Sequence, residues 1–331
     1  MMNEVFGRRL SFALCLLILA STGCSGGGSG AALGSGQFGG VGPDHVPVIG
    51  GCKVFPRMDP WNTNISQYPV DPHSAQYLSN MNPSAHLHPD FGSNPTYGIP
   101  WITVPANQPF LPVTFDDPQE SNPGPYPFPP NVPIESGSDR HAIVIDTGTC
   151  ELYETFATTY LGPPPSNGFH AFSGATFSLG KVNPQRTDGW TSADAAGLAI
   201  LPGLVKKFEA DTGTITHAFR FTMSRTQAAF IHPAQHCTSG YPHGQFPYYP
   251  PMGLRVRLKS SYDISAFTGD ARAIAQAMKT YGMILADNGS DWYFTGETNT
   301  SWDDNNLNQL KALPANAFEV VQTSAVVTGF C

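Results

Sequence analysis

Four cysteines stand far apart along the chain, at Cys52, Cys150, Cys237 and Cys331. In an oxidising compartment they pair, and a disulfide holds its two Cα atoms about 4.4–6.8 Å apart. Any fold of this chain must therefore bring distant segments together twice. Three pairings satisfy the count. Because Cys52 opens the expected folded region and Cys331 is the last residue, Cys52–Cys331 with Cys150–Cys237 is the favoured pairing. No Cys-x-x-Cys occurs, which removes the usual structural-zinc and thioredoxin spacings. Left free beside His232 and His236, Cys237 would be a candidate nucleophile; in a disulfide it is structural.

The oxidising compartment is itself a reading of the N-terminus. Arg8 and Arg9 precede an apolar run from Leu10 to Ala20, and small residues follow up to Cys24. A basic start, a short apolar stretch and small residues at the cut mark a signal peptide, residues 1–24, too short in its apolar part to span a bilayer. The Ala20-Ser21-Thr22-Gly23-Cys24 end resembles the lipobox of bacterial lipoproteins, which implies lipidation at Cys24 and attachment to an outer membrane or cell surface; simple secretion is the alternative. Nine of the eighteen residues from 25 to 42 are glycine. Such a stretch cannot bury enough apolar surface to fold, so residues 25–50 are expected to be a flexible tether and 51–331 a single globular domain.

Lys and Arg number 17 against 25 Asp and Glu, a net charge of −8, and removal of Glu4, Arg8 and Arg9 with the signal leaves −9. A non-specific nucleic-acid partner needs the opposite excess and is not expected. Membrane contact is expected only through the lipid, and a monomer is the expected state. From Pro100 to Pro133 eleven of 34 residues are proline, with Trp101, Phe110, Phe115, Tyr126 and Phe128 interleaved. Proline lacks a donor and fixes φ, so this stretch runs extended, and its aromatics predict that it packs on the body rather than linking two domains.

The second half carries strand patterns. His141–Asp146 and Cys150–Phe156 flank a Gly turn. Over Ile215–Thr222 the period of two sets Ile215, His217, Phe219 and Phe221 on one face and Thr216, Arg220 and Thr222 on the other. Leu254, Val256 and Leu258 alternate with Arg255, Arg257 and Lys259, which are expected to face outward. Ala271, Ile274, Ala275, Met278 and Tyr281 form a helical stripe over 268–281 that Gly282 ends. Met283–Ala286 and Asp291–Phe294 around Asp287-Asn-Gly-Ser290 predict a hairpin. A short helix over 303–312 and a strand over 318–322 complete the pattern. The expected fold class is α+β and β-rich, an antiparallel β-sandwich or partly closed barrel with a few peripheral helices and long Pro-rich loops. The strings Ser138–Asp146, Gly189–Leu198, Pro251–Lys259 and Ala286–Ser290 together resemble a group of exported bacterial proteins; the resemblance implies one domain and supplies no mechanism.

No Gly-x-Ser-x-Gly elbow, phosphate-binding loop, His-Glu-x-x-His or dinucleotide fingerprint occurs, and no cofactor is expected. Three constellations remain. Asp139, His141, Asp194 and His217 are the candidate catalytic residues, since a glycosidase needs two carboxyls, one acting as acid and one as base or nucleophile. Trp190 is a stacking platform for a sugar, and Arg220, Arg255 and Arg257 are candidate substrate contacts for an anionic one. The plainer roles are turn or cap for Asp139 and Asp194, core for His217, and a solvated face for the arginines. His86 and His88, or His232, His236 and His243, have chelating residue types but no second matching motif, so no metal site is assigned. The function expected from this pattern is an exported, tethered enzyme hydrolysing an extracellular or wall polysaccharide. The alternatives are a lyase on a uronate glycan and a non-catalytic glycan-binding lipoprotein.

Overall fold

A computed structural model describes residues 39–163 and 167–331. The signal segment 1–24, Cys24 and the tether as far as residue 38 lie outside the described residues. The tether expectation is corrected from residue 39 onward. Gly39–Val41 pairs antiparallel with Pro47–Ile49, which pairs in turn with Cys52–Lys53. Val46 and Ile49 are fully buried there, and that apolar contact gives the segment what glycine alone lacks.

Two sheets build the body. The first contains β2 (Ile102–Val104), β3 (Ala142–Asp146), β4 (Glu151–Phe156) and β5 (Ser173–Ser178) in the order β5-β4-β3-β2; the second contains β1 (His88–Asp90), β6 (Phe219–Met223), β7 (Arg255–Leu258), β8 (Met283–Asn288), β9 (Tyr293–Thr295) and β10 (Phe318–Val320) in the order β10-β7-β8-β6-β9-β1. Smaller sheets and short helices surround them, and one sheet curls into a half-barrel. This is the β-rich α+β class expected. Among the described residues nine strand pairs are antiparallel, and four are parallel, which places strands distant in sequence side by side.

Strand β3 shows why the first sheet sits where it does. Ile143 and Ile145 point into the main core, whereas Ala142 and Val144 join a second core on the opposite face. That second core is closed by Leu111, Val113, Tyr126, Phe128 and Val132 of the Pro-rich stretch, which therefore packs on the body. A strand covered on both faces reads as an unbroken apolar run, and each large side chain so buried contributes about 1.5–3 kcal/mol.

The helix Gly269–Thr280 buries Ala271, Ile274, Ala275 and Met278 and packs on β7. Gly282 follows it at φ +69°, where a Cβ would also strike the Val256 carbonyl, so glycine is required there twice over. The hairpin expected over 283–294 does not close on itself. Strand β6 lies between β8 and β9, parallel to the first and antiparallel to the second. Asp287 and Asn288 continue β8, and the chain crosses that intervening strand over residues 289–292.

The disulfides are Cys52–Cys150 and Cys237–Cys331, each with Cα atoms 5.4 Å apart. This overturns the pairing of the chain ends. The small sheet at 39–53 lies beside the β3–β4 turn, where the Cys52 sulfur is 3.8 Å from the Thr147 carbonyl. The C-terminal strand Val326–Val327 pairs with Phe230–Ile231, which brings Cys331 towards Cys237. Cys237 is thus no nucleophile. No described helix is long and apolar enough to cross a membrane.

Candidate active site

Where the loop entering β3 meets one face of the second sheet, a cavity of about 210 Å³ opens. Its lining includes Glu135, Asp139, His141, Arg220, Asp287 and Tyr293. The first three come from the loop entering β3, Arg220 from β6, Asp287 from the end of β8 and Tyr293 from β9. Asp90 on β1 and Thr295 on β9 complete the polar wall.

Asp287 owes its position to an irregularity. Along the β6/β8 pair Phe221 faces Leu285, and the next partners are Thr222 and Asp287, so Ala286 is an extra residue on β8. Such a bulge shifts every following side chain to the other face. Without it Asp287 would share the core-side face with Leu285; with it Asp287 stands with Thr222 and Arg220. Burial, reinforced by the nearby Asp194 charge and opposed by Arg220, pushes the Asp287 carboxyl up to about 7. Its side chain is still 25% exposed, so the proton it holds near neutrality is within reach of a ligand.

Arg220 is committed to the protein. Its Nε and Nη2 donate to Asp194 Oδ2 and Oδ1 at 3.0 and 2.7 Å, and Nη1 donates to Thr295 Oγ1 at 2.8 Å. Both partners of this two-pronged ion pair are buried, while Asp287 Oδ2 lies 3.7 Å from Nη2. Asp194 sits behind the arginine in the loop 191–197, which Ser192 fastens from within, its hydroxyl donating to the Leu198 carbonyl and accepting from the Asp194 amide. His141 is fixed at both ring nitrogens, Nδ1 at 2.5 Å from Glu135 Oε2 and Nε2 at 3.1 Å from the Ala193 carbonyl. Two acceptors suit the doubly protonated ring. Burial works against that charge, but the hydrogen bond and charge of Glu135 outweigh it and raise the His141 pKa.

The candidate residues therefore divide. Asp139, His141 and Arg220 meet at the cavity, with Asp139 exposed and accepting from Ser138 Oγ at 2.9 Å. Asp194 belongs to the same cluster one layer behind. His217 does not join it. The period of two along β6 and the residues before it sends 217 and 220 to opposite faces, and His217 Nε2 is buried at 2.9 Å from Glu209 Oε2 with Lys206 Nζ 3.5 Å away. Trp190 stacks under Arg186 at 5.6 Å and does not line the cavity.

Arg255 and Arg257 are corrected most sharply. Their alternation is as read, but the face expected to be solvated is covered by the segment 60–68. Arg255 donates to the carbonyls of Pro60 and Tyr281, and Arg257 to those of Ile65 and Tyr68 and to Glu319 at 2.7 Å. Both are buried. No anionic-glycan groove is formed by these side chains.

Glu135, Asp287, Asp90 and Tyr293 were not among the candidates. Asp287 carried a signal, a carboxylate in Asp-Asn-Gly-Ser, but that string also spells a turn. Among the described residues no three His, Cys, Asp or Glu side chains converge as ligands for a metal.

Glu154 and Glu297 are carboxyls buried outside the cavity. Glu154 accepts from the amides of Ile200 and Leu201 at 2.8 Å each, and Glu297 from Trp101 Nε1 at 2.8 Å and the Lys207 amide at 2.9 Å. Burial pushes both up to about 7. Between the unfolded carboxyl value of about 4 and about 7, the folded chain holds protons at Glu154, Glu297 and Asp287 that the unfolded chain has released. The protein is therefore favoured on the acid side of this window, and raising the pH draws stability away; His141, raised above its ordinary value, adds in the same direction. Thermal unfolding should show a midpoint at least about 4 °C higher at pH 5.5 than at pH 7.5. A midpoint that rises over that interval contradicts these assignments.

No protein family, curated protein or solved structure matches this chain.

Proposed function

We propose that the protein is an exported hydrolase of a neutral polysaccharide, held at the cell surface through lipid on Cys24 and acting as a monomer. The observation that carries this reading is Asp287, a carboxyl lifted to about 7 in the wall of a polar cavity that a second carboxylate, Asp139, also lines. Glycoside hydrolysis needs one carboxylic acid to protonate the leaving oxygen and a second carboxylate to act as base or nucleophile. Asp287 takes the first role and Asp139 the second. Arg220 and His141 position rather than react. Each is tied to its own carboxylate, and Arg220 keeps the Asp287 proton from becoming too tightly held.

The same balance favours a neutral glycan over a uronate. The two cations of the cavity are already paired, with Asp194 and Glu135, while Asp90 and Asp139 face the space beside the protonated Asp287. A uronate carboxylate entering there meets like charge and no free cation. Hydrolysis is for this reason preferred to lyase action. Two disulfides fit a protein that works in an oxidising compartment.

Incubation of the protein with neutral plant, fungal and bacterial glycans should release new reducing ends from at least one. Retention of a glycan without any release would mark a binding protein. Products with ultraviolet absorption from an anionic polymer would mark a lyase.

A further inference from the structure

Beyond Tyr293 and Asp90, at the β1 edge of the second sheet, lies another hollow of about 240 Å³. His88, Phe91, Tyr97, Asn308 and Lys311 are among its lining residues. The register of the sheet joins it to the Asp287 cavity. His88 on β1 is paired with Tyr293 on β9, Tyr293 with Thr222 on β6, and Thr222 with Asp287 on β8. Directly paired residues of neighbouring strands share a face, so these four side chains form one row across the sheet. Three strand spacings of about 4.8 Å separate its ends by about 14 Å, more than one sugar ring spans.

The middle of the row is a stacked pair of rings. The rings of Tyr293 and His88 stack with centroids 4.0 Å apart and planes inclined by 10°. Tyr293 lines the first cavity and His88 the second, and Tyr97 Oη reaches both His88 Nε2 at 3.4 Å and the Pro89 carbonyl at 3.3 Å. The two hollows thus share a wall. Each is smaller than the roughly 300–1,000 Å³ of a cavity for a drug-sized ligand, which suits one ring in each. The second hollow offers what a neutral sugar needs: exposed hydrogen-bond donors at Asn308 and Lys311 beside the half-buried rings of His88 and Tyr97.

We infer that the second hollow is a binding subsite for the next unit of a neutral oligosaccharide whose reacting unit lies beside Asp287, so that the ligand is a chain of at least two rings. This rests on the glycan reading and goes beyond it by fixing the ligand's direction along the row Asp287, Thr222, Tyr293, His88 and its minimum length.

The test uses cello-, xylo- and chito-oligosaccharides of increasing length, titrated calorimetrically into protein carrying Asp287→Asn so that bound ligand is not consumed. In at least one series the affinity should rise about tenfold between one ring and three, and Lys311→Ala with Asn308→Ala should remove the rise, since both side chains are exposed donors. A rise that survives the double substitution, or an affinity independent of length, overturns the subsite and leaves the hydrolase reading intact. Absence of binding in every series, together with no release of reducing ends by the unaltered protein, overturns both.

Discussion

Replacing Asp287 by Asn should lower turnover of the responsive glycan by about 10²–10⁴-fold, the range that a positioned general acid contributes. Asn keeps the size of the side chain and its neighbours but has no proton to give at the reacting oxygen. The fold should be retained, because Arg220 keeps its buried partner Asp194. The pH dependence provides a second readout. A general acid works in its protonated form, so with a carboxyl lifted to about 7 the rate should fall as pH rises through neutrality. That falling limb should be missing from the residual activity of Asp287→Asn. If the variant turns over as fast as the unaltered protein, Asp287 is not the acid.

Asp194→Ala should destabilise the protein by about 3–5 kcal/mol, because it removes the hydrogen-bonded anion of the buried Arg220 guanidinium and leaves only Asp287, 3.7 Å away and outside hydrogen-bond reach. The pair is bidentate and almost wholly inaccessible, which separates it from surface pairs worth about 0–1 kcal/mol. Denaturant unfolding with an unchanged slope would measure the loss. The double substitution Asp194→Leu with Arg220→Met should cost less than Asp194→Ala alone, since no uncompensated charge remains. A single-variant loss below about 1 kcal/mol would mean that water reaches the pair, and the rigid placement of Arg220 beside Asp287 would lose its support.

Both predictions concern residues that the sequence presented unequally. Arg220 and Asp194 could be picked out, the first by its place in an alternating strand and the second beside Gly189-Trp190. That they would meet could not be read, because they sit in different elements and are joined only by tertiary packing. His217 shows the opposite case. Its separation from Arg220 was already contained in the period of two, which sends odd and even positions to opposite faces.

Local pattern determined a good deal by itself. Local strand patterns marked seven of the ten strands in the two main sheets, the 3.6-residue stripe marked the helix that Gly282 ends, and interleaved aromatics predicted that the Pro-rich stretch packs on the body. These are properties of near neighbours, and near neighbours are what a sequence displays. Only the tertiary structure decided which faces are covered. The arginines at 255 and 257 alternate as a solvent-facing row would, yet the segment 60–68 lies over them and their charges end on its carbonyls. It also decided the disulfide partners, since strand pairing between segments far apart sets which cysteines come within reach. Finally, the one extra residue at Ala286 exists only in relation to β6. A bulge is a mismatch between two strands, and it is this mismatch that turned Asp287 from the core into the cavity.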